Sequence, residues 1–300
     1  MVEIWLWSQK QDIGPSPRGY HSMTYDSHLD KTFLFGGVEF PNKYLNDTWE
    51  WDGDIWTQVS DTGPSPRAAF ATTFDSQRNK TVLCGGVDIN GNIFNDTWEW
   101  DGTDWTQVSN NSPFLGGHSI TFDSKRNRTV SFGGMDNNFN YVTKTWEWDG
   151  TTWTQVADTG PPIRVFTSMN FDSQRNKTVL FGGLDSASTL SDTWEWDGSI
   201  WTQVAYTGPS PRYLHCMAFD SERNRTVLFA GASYSLQDVY NDTWIWDGKF
   251  WTQRQDMGPK KVLHSMTYDS DRGHLVVFGG ADMIVASSDT WELRVEINTE

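Results

Sequence analysis

Short apolar runs and regularly placed turn residues divide this chain into strands. Within one unit, a first strand such as 21–25 leads through a polar loop into a second strand with consecutive apolar positions, as in 81–84. A third strand, 47–51, alternates large and polar side chains and turns at the Asp-Gly pair 52–53 into a fourth strand, 56–59. Period-two alternation and an Asp-Gly turn are typical of antiparallel hairpins. The pattern therefore predicts four-stranded antiparallel sheets whose second strands are covered on both faces.

This four-strand pattern recurs six times along nearly the whole sequence. The spacing from the aspartate that ends the first strand to the glycine-pair position is the same in every repeat, and the spacing between two repeated tryptophans is the same in five repeats. The glycine-pair position and the next tryptophan are closer in the fourth repeat than in the fifth, and the connection from one repeat to the next also varies. Length variation thus falls in alternate connections, which share one face of a repeat protein. We predict that this face carries the function.

The two ends of the sequence complement each other. The sixth repeat stops after 289–293 and lacks the Asp-Gly turn and the fourth strand. The chain begins with an isolated strand of the fourth type at 5–9, in which Trp7 precedes Asp26 by the same interval as Trp56 precedes Asp75. We therefore predict that this strand completes the last sheet and closes a ring without exposed sheet edges.

A glycine pair after the second strand, followed by a spaced tryptophan in the third, resembles the kelch-repeat family. The motif stands as Gly36-Gly37 with Trp49, Gly85-Gly86 with Trp98, Gly133-Gly134 with Trp146, Gly182-Gly183 with Trp194, and Gly279-Gly280 with Trp291, while the fifth repeat departs with Ala230-Gly231. The resemblance covers residues 2–295 and implies an all-β fold, a six-bladed β-propeller of four-stranded antiparallel blades forming a single domain over 1–300. Kelch-like propellers include interaction modules, sugar mutarotases, copper oxidases and specifier proteins, so the resemblance leaves the activity open.

Charge and composition exclude several classes of partner. The formal net charge is -16 and the pI is about 4.6, with lysine and arginine spread along the repeats. A nucleic-acid partner, which needs a basic stripe, is therefore not expected. The sequence shows no apolar stretch of membrane-spanning length and no leader before the first strand, so we expect a soluble, provisionally cytoplasmic monomer with no membrane partner. Cys84 and Cys216 fall in apolar strand patterns and are expected to be small buried hydrophobes.

Opposite charges are expected at the rim of the variable connections. If Asp26 lies opposite Lys31 in the first hairpin, Arg18 faces Glu39 further along the same pair of strands. The same register pairs Arg67 with Asp88, Arg164 with Asp185, and Lys261 with Asp282. One interpretation is a set of rim salt bridges worth about 0 to 1 kcal/mol each.

Two repeats break this charge pattern. In the third, Leu115 faces Asp136, and in the fifth, Arg212 faces Ser233. We therefore predict that Asp136 and Arg212 lack partners in their own blades and are available to a ligand. The alternative is that two rim pairs have simply been lost by sequence drift.

Four of the six histidines share one first-strand position. They are His21, His118, His215 and His264, with Phe70 and Thr167 completing the ring. Identical placement in successive blades keeps the imidazoles a blade apart, whereas tetrahedral zinc needs nitrogens about 2.0–2.1 Å from the metal. We therefore predict no metal site and no cofactor. The imidazoles are expected to pack over the glycine-pair backbone and to bond nearby carbonyls.

Aromatic residues differ between repeats around the predicted mouth of the variable face. Those near the start of first strands are Tyr20, Phe70, Phe114, Phe166 and Tyr213, and those in longer loops are Phe40, Tyr44, Phe139, Tyr141, Tyr234 and Tyr240. Such side chains give large contact area with little entropy loss and, beside charged groups, suit a partly apolar ligand. The predicted ligand-binding residues are Tyr20, Phe70, Phe114, Leu115, Asp136, Phe139, Phe166, Arg212, Tyr213, Ser233 and Tyr234. Alternatively, the loop aromatics shield the blade tops.

Two functions compete for this face. The first is a binding module that captures a small molecule, glycan or peptide through Arg212, Asp136 and the rim aromatics. The second is a stand-alone enzyme of isomerase, lyase or cyclase type, acting on a small, partly apolar metabolite or sugar. Its base would be Asp136, with Arg212 or His118 as an electrostatic or acidic partner. No accessory domain is visible in the sequence, which supports the second hypothesis, but we favour the binding module.

Overall fold

The computed structural model describes residues 2–10, 13–113, 115–255, 257–282 and 285–298. The strands in chain order are β1 (Val2–Gln9), β2 (Ser22–Asp26), β3 (Lys31–Glu39), β4 (Lys43–Trp51), β5 (Trp56–Ser60), β6 (Ala71–Asp75), β7 (Lys80–Cys84), β8 (Thr97–Trp100), β9 (Trp105–Ser109), β10 (Ser119–Asp123), β11 (Arg128–Phe132), β12 (Thr145–Trp148), β13 (Trp153–Ala157), β14 (Ser168–Asp172), β15 (Lys177–Phe181), β16 (Thr193–Trp196), β17 (Trp201–Ala205), β18 (Cys216–Asp220), β19 (Arg225–Phe229), β20 (Thr243–Trp246), β21 (Trp251–Gln255), β22 (Ser265–Asp269), β23 (His274–Phe278) and β24 (Thr290–Asn298). Residues Tyr234–Leu236 form a turn in one loop, in which Ser235 and Leu236 have positive φ. The described part of the chain holds no helix with the length and hydrophobicity of a membrane span.

These strands form six blades of four antiparallel strands. Blades one to five each take four consecutive strands, from β2–β5 to β18–β21, and blade six has the order β1-β24-β23-β22. The first strands of neighbouring blades are in contact all round, including β2 with β22, so the blades surround one axis. Trp7 pairs with Leu293 across β1 and β24. The prediction of a six-bladed propeller closed by its N-terminal strand is confirmed.

The register of the first hairpin follows the sequence prediction. Asp26 lies opposite Lys31, and Gly19, which precedes the start of the first strand, forms a bridge with Val38. Because strand direction alternates within a blade, connections of variable length all emerge at one end of the axis. We call this end the variable face, formed by the loops between second and third strands and the connections between blades. The constant face, at the other end, carries the Asp-Ser and Asp-Gly turns.

The hydrophobic core lies between neighbouring blades. Second-strand residues such as Leu34 and Val82 are fully buried because a blade covers each face of the sheet. The Trp56 ring packs on Trp51 at a centroid distance of 5.4 Å, and its indole N–H donates to Thr290 Oγ1 of the preceding blade at 2.8 Å. Equivalent bonds join Trp105 to Thr48, Trp153 to Thr97, Trp201 to Thr145, and Trp251 to Thr193. These tryptophans therefore fasten one blade to the next.

The two cysteines are part of this packing. Cys84 is buried and Cys216 is half-buried, and neither forms a disulfide. Burial raises the pKa of the Cys216 thiol to about 12, and it raises the pKa of Cys84 still further. Both side chains are therefore neutral thiols within the blades.

Candidate binding face

A ring of left-handed residues closes the blades around the axis at the variable face. The residue that precedes the histidine position has a positive φ in every blade: Tyr20, Ala69, Gly117, Phe166, Leu214 and Leu263. The backbone N–H of Tyr20 donates to the Leu263 carbonyl of the preceding blade at 3.1 Å. The N–H groups of Ala69, Gly117, Phe166 and Leu214 repeat this bond to the preceding blade at 2.7 to 3.2 Å. Side chains at this position consequently point over the end of the axis.

Two of these side chains meet across the axis. Tyr20 and Phe166 come from blades one and four, which lie opposite each other, and their ring centroids are 5.9 Å apart. Tyr213 lies 6.5 Å from Phe166, and Phe166 also covers the bare backbone of Gly117. We call Tyr20, Phe166 and Tyr213 the aromatic cap. Tyr20 and Phe166 of the cap line the variable-face end of an axial cavity of about 450 Å³, whose wall is formed by the six first strands, and their contact crosses that end.

A buried cation in each of five blades is paired with the aspartate that comes directly before the Thr-Trp pair of the third strand. Arg18 donates through Nη1 and Nη2 to both carboxylate oxygens of Asp47, at 2.7 and 2.8 Å, and through Nη1 to the Gly36 carbonyl at 3.0 Å. The indole of Trp49 donates to the same carboxylate at 2.7 Å. The other pairs are Arg67 with Asp96, Arg164 with Asp192, Arg212 with Asp242, and Lys261 with Asp289. We call these five pairs the cationic latches.

The latches correct the predicted rim pairs. The structure pairs Arg18 with Asp47 rather than with Glu39, although the backbone register that suggested Glu39 is right. The same correction applies to Arg67 and Asp88, Arg164 and Asp185, and Lys261 and Asp282. In the four arginine latches the guanidinium lies against the sheet, where a carboxylate and a backbone carbonyl accept its N–H groups. Burial tends to raise the pKa of Asp47, but the Arg18 guanidinium, together with the Trp49 indole, holds it below its ordinary value.

The prediction that Arg212 lacks a partner in its blade is therefore wrong. Its guanidinium is fully buried, forms a bidentate pair with Asp242 at 2.6 and 2.8 Å, and lies 4.2 Å from the centre of the Tyr240 ring. A group held in this way is not presented to a ligand. Arg212 instead fixes the connection between blades to the neighbouring loop.

Blade three lacks a latch. The latch positions of all six blades lie in the described part of the chain, and blade three is the one in which both residues are replaced. Leu115 stands at the cation position and is 3 % exposed, and Lys144 stands at the aspartate position and is exposed. The spacing from Leu115 to Lys144 equals that from Arg18 to Asp47, so this joint replacement was readable in the sequence. That signal links the connection between blades to the start of the third strand, whereas the predicted rim pairs compare positions across the first hairpin. The exposed Lys144 ammonium is consequently left at the surface of the variable face.

Asp136 has partners, although they are not cations. Its Oδ1 accepts backbone N–H groups from Asn138 and Asn140, both at 2.9 Å, and its Oδ2 accepts the Asn140 side-chain amide at 3.4 Å. The prediction of a free carboxylate is wrong, because these contacts form the turn that begins the loop. Burial tends to raise the pKa of Asp136, but the Asn140 and Asn138 amides hold it below its ordinary value. A carboxyl group with a lowered pKa is a weak general base.

Carboxylates recur at this loop position around the variable face. They are Glu39, Asp88, Asp136, Asp185 and Asp282, and the blade-five loop carries Asp238, whose backbone N–H donates to Ser233 Oγ at 2.9 Å. All six are half-buried or exposed. Glu39 forms an ion pair with Lys43 at 2.9 Å, and Asp88 and Asp185 accept backbone N–H groups from their own loops. We call these six carboxylates the acidic rim, and they place negative charge on the variable face.

The histidines pack over the glycine pairs as expected, but the predicted bonds to carbonyls are not formed, since neither ring nitrogen of His21, His215 or His264 has a hydrogen-bond partner among the described residues. The His21 ring lies against the backbone of Gly279 and meets Phe278 edge to face at 5.5 Å, both in the preceding blade. His215 and His264 meet Phe181 and Phe229 in the same way. The pKa of His21 falls to about 3 because burial disfavours the charged ring and Arg18 repels it, with the Phe278 carbonyl only partly opposing this. Among the described residues, no group of three or more His, Cys, Asp or Glu side chains is placed to hold a metal ion.

Each of the three candidate catalytic residues contacts a different set of groups. His118 is buried, with Nε2 3.2 Å from Cys84 Sγ, and burial lowers its pKa to about 4. Arg212 is held by its latch, and Asp136 caps its loop. Among the contacts of the described residues, none joins any two of these three.

The remaining predicted ligand residues occupy different depths. Phe70 is 6 % exposed and packs on Phe35 at 5.4 Å between blades one and two, away from the surface. Phe114 lies outside the described residues. In contrast, Phe139 and Tyr234 are 59 % and 49 % exposed on the variable face. Phe40 is also exposed there, beside Gly19.

A comparison with known families adds to this geometry. A family model described as Attractin/LZTR1 beta-propeller matches residues 51–238, which is well over half of the chain. None of the curated proteins compared with the chain matches it.

Proposed function

The chain belongs to the Attractin/LZTR1 β-propeller family, which is kelch-type, and from this premise we propose that its variable face binds an extended peptide segment of a partner protein. The segment carries basic and apolar side chains. A kelch-type propeller in general suits binding of proteins or ligands. The proposal refines that general role for this chain by its surface chemistry.

The observation that carries the proposal is the contact of Tyr20 with Phe166 across the axis. With the cavity covered at this end, the variable face offers a broad surface rather than a deep pocket. Exposed aromatics extend away from the cap, with Phe139 on blade three, Tyr234 on blade five and Phe40 on blade one. Spaced aromatic anchors on a broad surface suit successive side chains of a peptide better than one small molecule.

Charge selects the kind of peptide. The cations of the latches are neutralised by their own aspartates, so they add no net positive charge to the face. The acidic rim remains, in a chain whose formal net charge is -16. Complementary potentials steer association and reject partners of like charge. A basic segment is therefore attracted to this face, and its apolar residues would contact the exposed aromatics.

The experiment is affinity selection of a random peptide library displayed on phage, followed by titration of selected peptides. We expect enrichment of lysine and arginine together with aromatic or aliphatic residues, and affinity that falls as salt is added. Phe139→Ala removes a variable-face anchor and should weaken binding about tenfold or more. Phe250→Ala is the matched control, because Phe250 is a 70 % exposed aromatic in a constant-face turn.

Two results would reject the proposal. One is selection of acidic or purely neutral sequences, which would remove the role of the acidic rim. The other is equal loss of affinity in Phe139→Ala and Phe250→Ala, which would show that the variable face is not the recognition surface.

A further inference from the structure

The axial cavity has an uncharged lining. Its wall is formed by the first strands β2, β6, β10, β14, β18 and β22 and the residues that flank them. Among the described residues that line it, there is no aspartate, glutamate, lysine or arginine. Its volume of about 450 Å³ lies within the range of small-molecule sites, which is roughly 300–1,000 Å³. An ionic ligand would lose its hydration there without meeting an opposite charge.

Hydroxyl groups line the cavity in three tiers, two from alternate residues of the first strands and one from the turns that follow those strands. The mouth tier is Ser27, Ser76, Ser124, Ser173, Ser221 and Ser270, the middle tier contains Thr24, Thr73, Thr121 and Thr267, and the inner tier contains Ser22, Ser119, Ser168 and Ser265. The intervening positions hold Met23 and Tyr25 in blade one, which are buried between blades. The wall therefore repeats a hydroxyl at each of three depths.

The middle-tier hydroxyls have hydrogen-bonding capacity to spare. Neither a hydrogen bond nor an ion pair to another described residue engages the side chains of Thr24, Thr73, Thr121 and Thr267. By contrast, inner-tier Ser265 Oγ accepts the Met23 backbone N–H at 2.9 Å, and Ser168 Oγ accepts that of Met217 at 2.9 Å. A serine that accepts an N–H still has its own O–H to donate. Both tiers can thus bond to hydroxyl groups of a ligand.

Blade five interrupts the hydroxyl lining with an apolar strip. Ala218 occupies the middle tier and Cys216 the inner tier, and the Phe219 ring beside them is half-buried, unlike the buried Phe122 and Phe171 at the same strand position. The cavity consequently has hydroxyls on most sides and one apolar wall. A compound with a hydroxyl periphery and an apolar C–H face matches this distribution.

The two ends of the cavity differ in access. The aromatic cap covers it at the variable face, where Tyr20 and Phe166 approach across the axis. At the constant face the mouth tier contains only serines, of which Ser27, Ser76 and Ser173 are among those exposed to solvent. A ligand would therefore enter from the face opposite the peptide surface.

We propose that the axial cavity is a second binding site, which takes a small neutral polyhydroxyl compound through the serine-lined mouth at the constant face. This site is separate from the peptide surface, and neither proposal depends on the other. The middle-tier threonines supply the donors and acceptors, and the blade-five strip packs against the C–H face of the compound.

The test is calorimetric titration and thermal unfolding with myo-inositol, glucose, galactose and maltose. Glucuronate and glucosamine serve as charged analogues of similar size. We expect at least one neutral compound to bind and to raise the unfolding temperature, and the charged analogues to bind at least about tenfold more weakly. Thr121→Val with Thr267→Val removes two middle-tier hydroxyls without changing side-chain shape, and should weaken binding about tenfold or more. Thr154→Val is the matched control on an exposed outer strand.

A second test places a bulky side chain at the mouth of the cavity, where the substitution does not affect the hydrophobic core between the blades. Ser173→Trp, in an exposed turn, should slow association of the bound compound while leaving the unfolding temperature of the free protein nearly unchanged. The proposal is overturned if no neutral compound binds, if charged analogues bind equally well, or if binding survives the paired threonine change unaltered. Phe139→Ala should leave this site intact, which separates its failure from failure of the peptide surface.

Discussion

Blades three and four have the same strands and different variable-face ends. Their strands match in length, from β10 to β13 and from β14 to β17, and both loops begin with a turn capped by an aspartate. Blade four closes its connection with the buried pair of Arg164 and Asp192, whereas blade three has Leu115 and Lys144. The strands therefore do not need the latch to form. In blade three, Lys144 and Phe139 are instead exposed on the variable face, whereas the charged residues at the latch positions of the other blades pair with each other.

The largest expected effect comes from breaking a latch on one side only. Arg164→Ala leaves Asp192 partly buried without its cation and removes a bond to the Gly182 carbonyl. Loss of one partner of a buried ion pair costs about 3–5 kcal/mol. Urea unfolding, followed by tryptophan fluorescence, measures this change in the free energy of unfolding.

The control converts blade four into a copy of blade three. Arg164→Leu combined with Asp192→Lys removes both charges of the latch and supplies the residues that blade three tolerates. We expect the double variant to be more stable than Arg164→Ala, since no unpaired carboxylate is left. If the double variant is less stable than Arg164→Ala, the latch contributes stability beyond the pairing of its two charges.

The reverse experiment installs a latch in blade three. Leu115→Arg alone buries a guanidinium near Lys144 and should destabilise the protein by about 2 kcal/mol or more. Adding Lys144→Asp supplies the carboxylate and should recover at least half of that loss. A double-mutant cycle in urea gives the coupling free energy, and the absence of favourable coupling would contradict the geometric equivalence of the two blades.

The histidines provide a pH test of the same comparison. Burial lowers the pKa of His118 to about 4, and in blades with a latch cation burial together with Arg18, Arg212 or Lys261 lowers the histidine pKa to about 3. The unfolded state takes up these protons below about pH 6.5, while the folded state excludes them. Stability should therefore be complete above pH 6.5 and fall on acidification towards pH 4, by up to about 1.4 kcal/mol per pH unit for each histidine.

Urea unfolding at pH 7.0, 6.0 and 5.0 measures this slope, in a range above most carboxyl titrations. His118→Phe introduces the residue found at the equivalent position of blade two, Phe70. It should reduce the change in the free energy of unfolding with pH by the contribution of one histidine. In Leu115→Arg with Lys144→Asp, nuclear magnetic resonance should place the His118 pKa lower than in the parent chain. An unchanged or higher value would mean that the cation does not act on the ring.

The smallest effect is expected at Asp136. Asp136→Asn keeps an oxygen that accepts the Asn138 and Asn140 N–H groups, so stability should change by less than about 0.5 kcal/mol. Asp136→Ala loses those bonds and should cost about 1 kcal/mol. Thermal unfolding of both variants checks this order, and equal losses would show that charge, rather than turn formation, is what the carboxylate contributes.

The sequence predicted the backbone better than the side chains. Fixed spacings determine strand number and register, so Trp7 could be assigned to the last blade and Asp26 to its position opposite Lys31. The backbone register does not determine which group a long side chain contacts. Arg18 pairs with Asp47 of the third strand rather than with the residue opposite it in the hairpin. Nor does spacing within one repeat indicate which residues meet across the axis. The contact of Tyr20 with Phe166 depends on two blades half a ring apart.

The central claim is that recognition takes place on the variable face. Hydrogen–deuterium exchange of the protein with and without a phage-selected basic peptide tests this claim directly. We expect slower exchange in the loops 86–96 and 134–144, which carry part of the acidic rim and Phe139, and no change in the constant-face turns 52–55 and 197–200. Protection confined to the constant-face turns, with the two loops unchanged, would contradict the account.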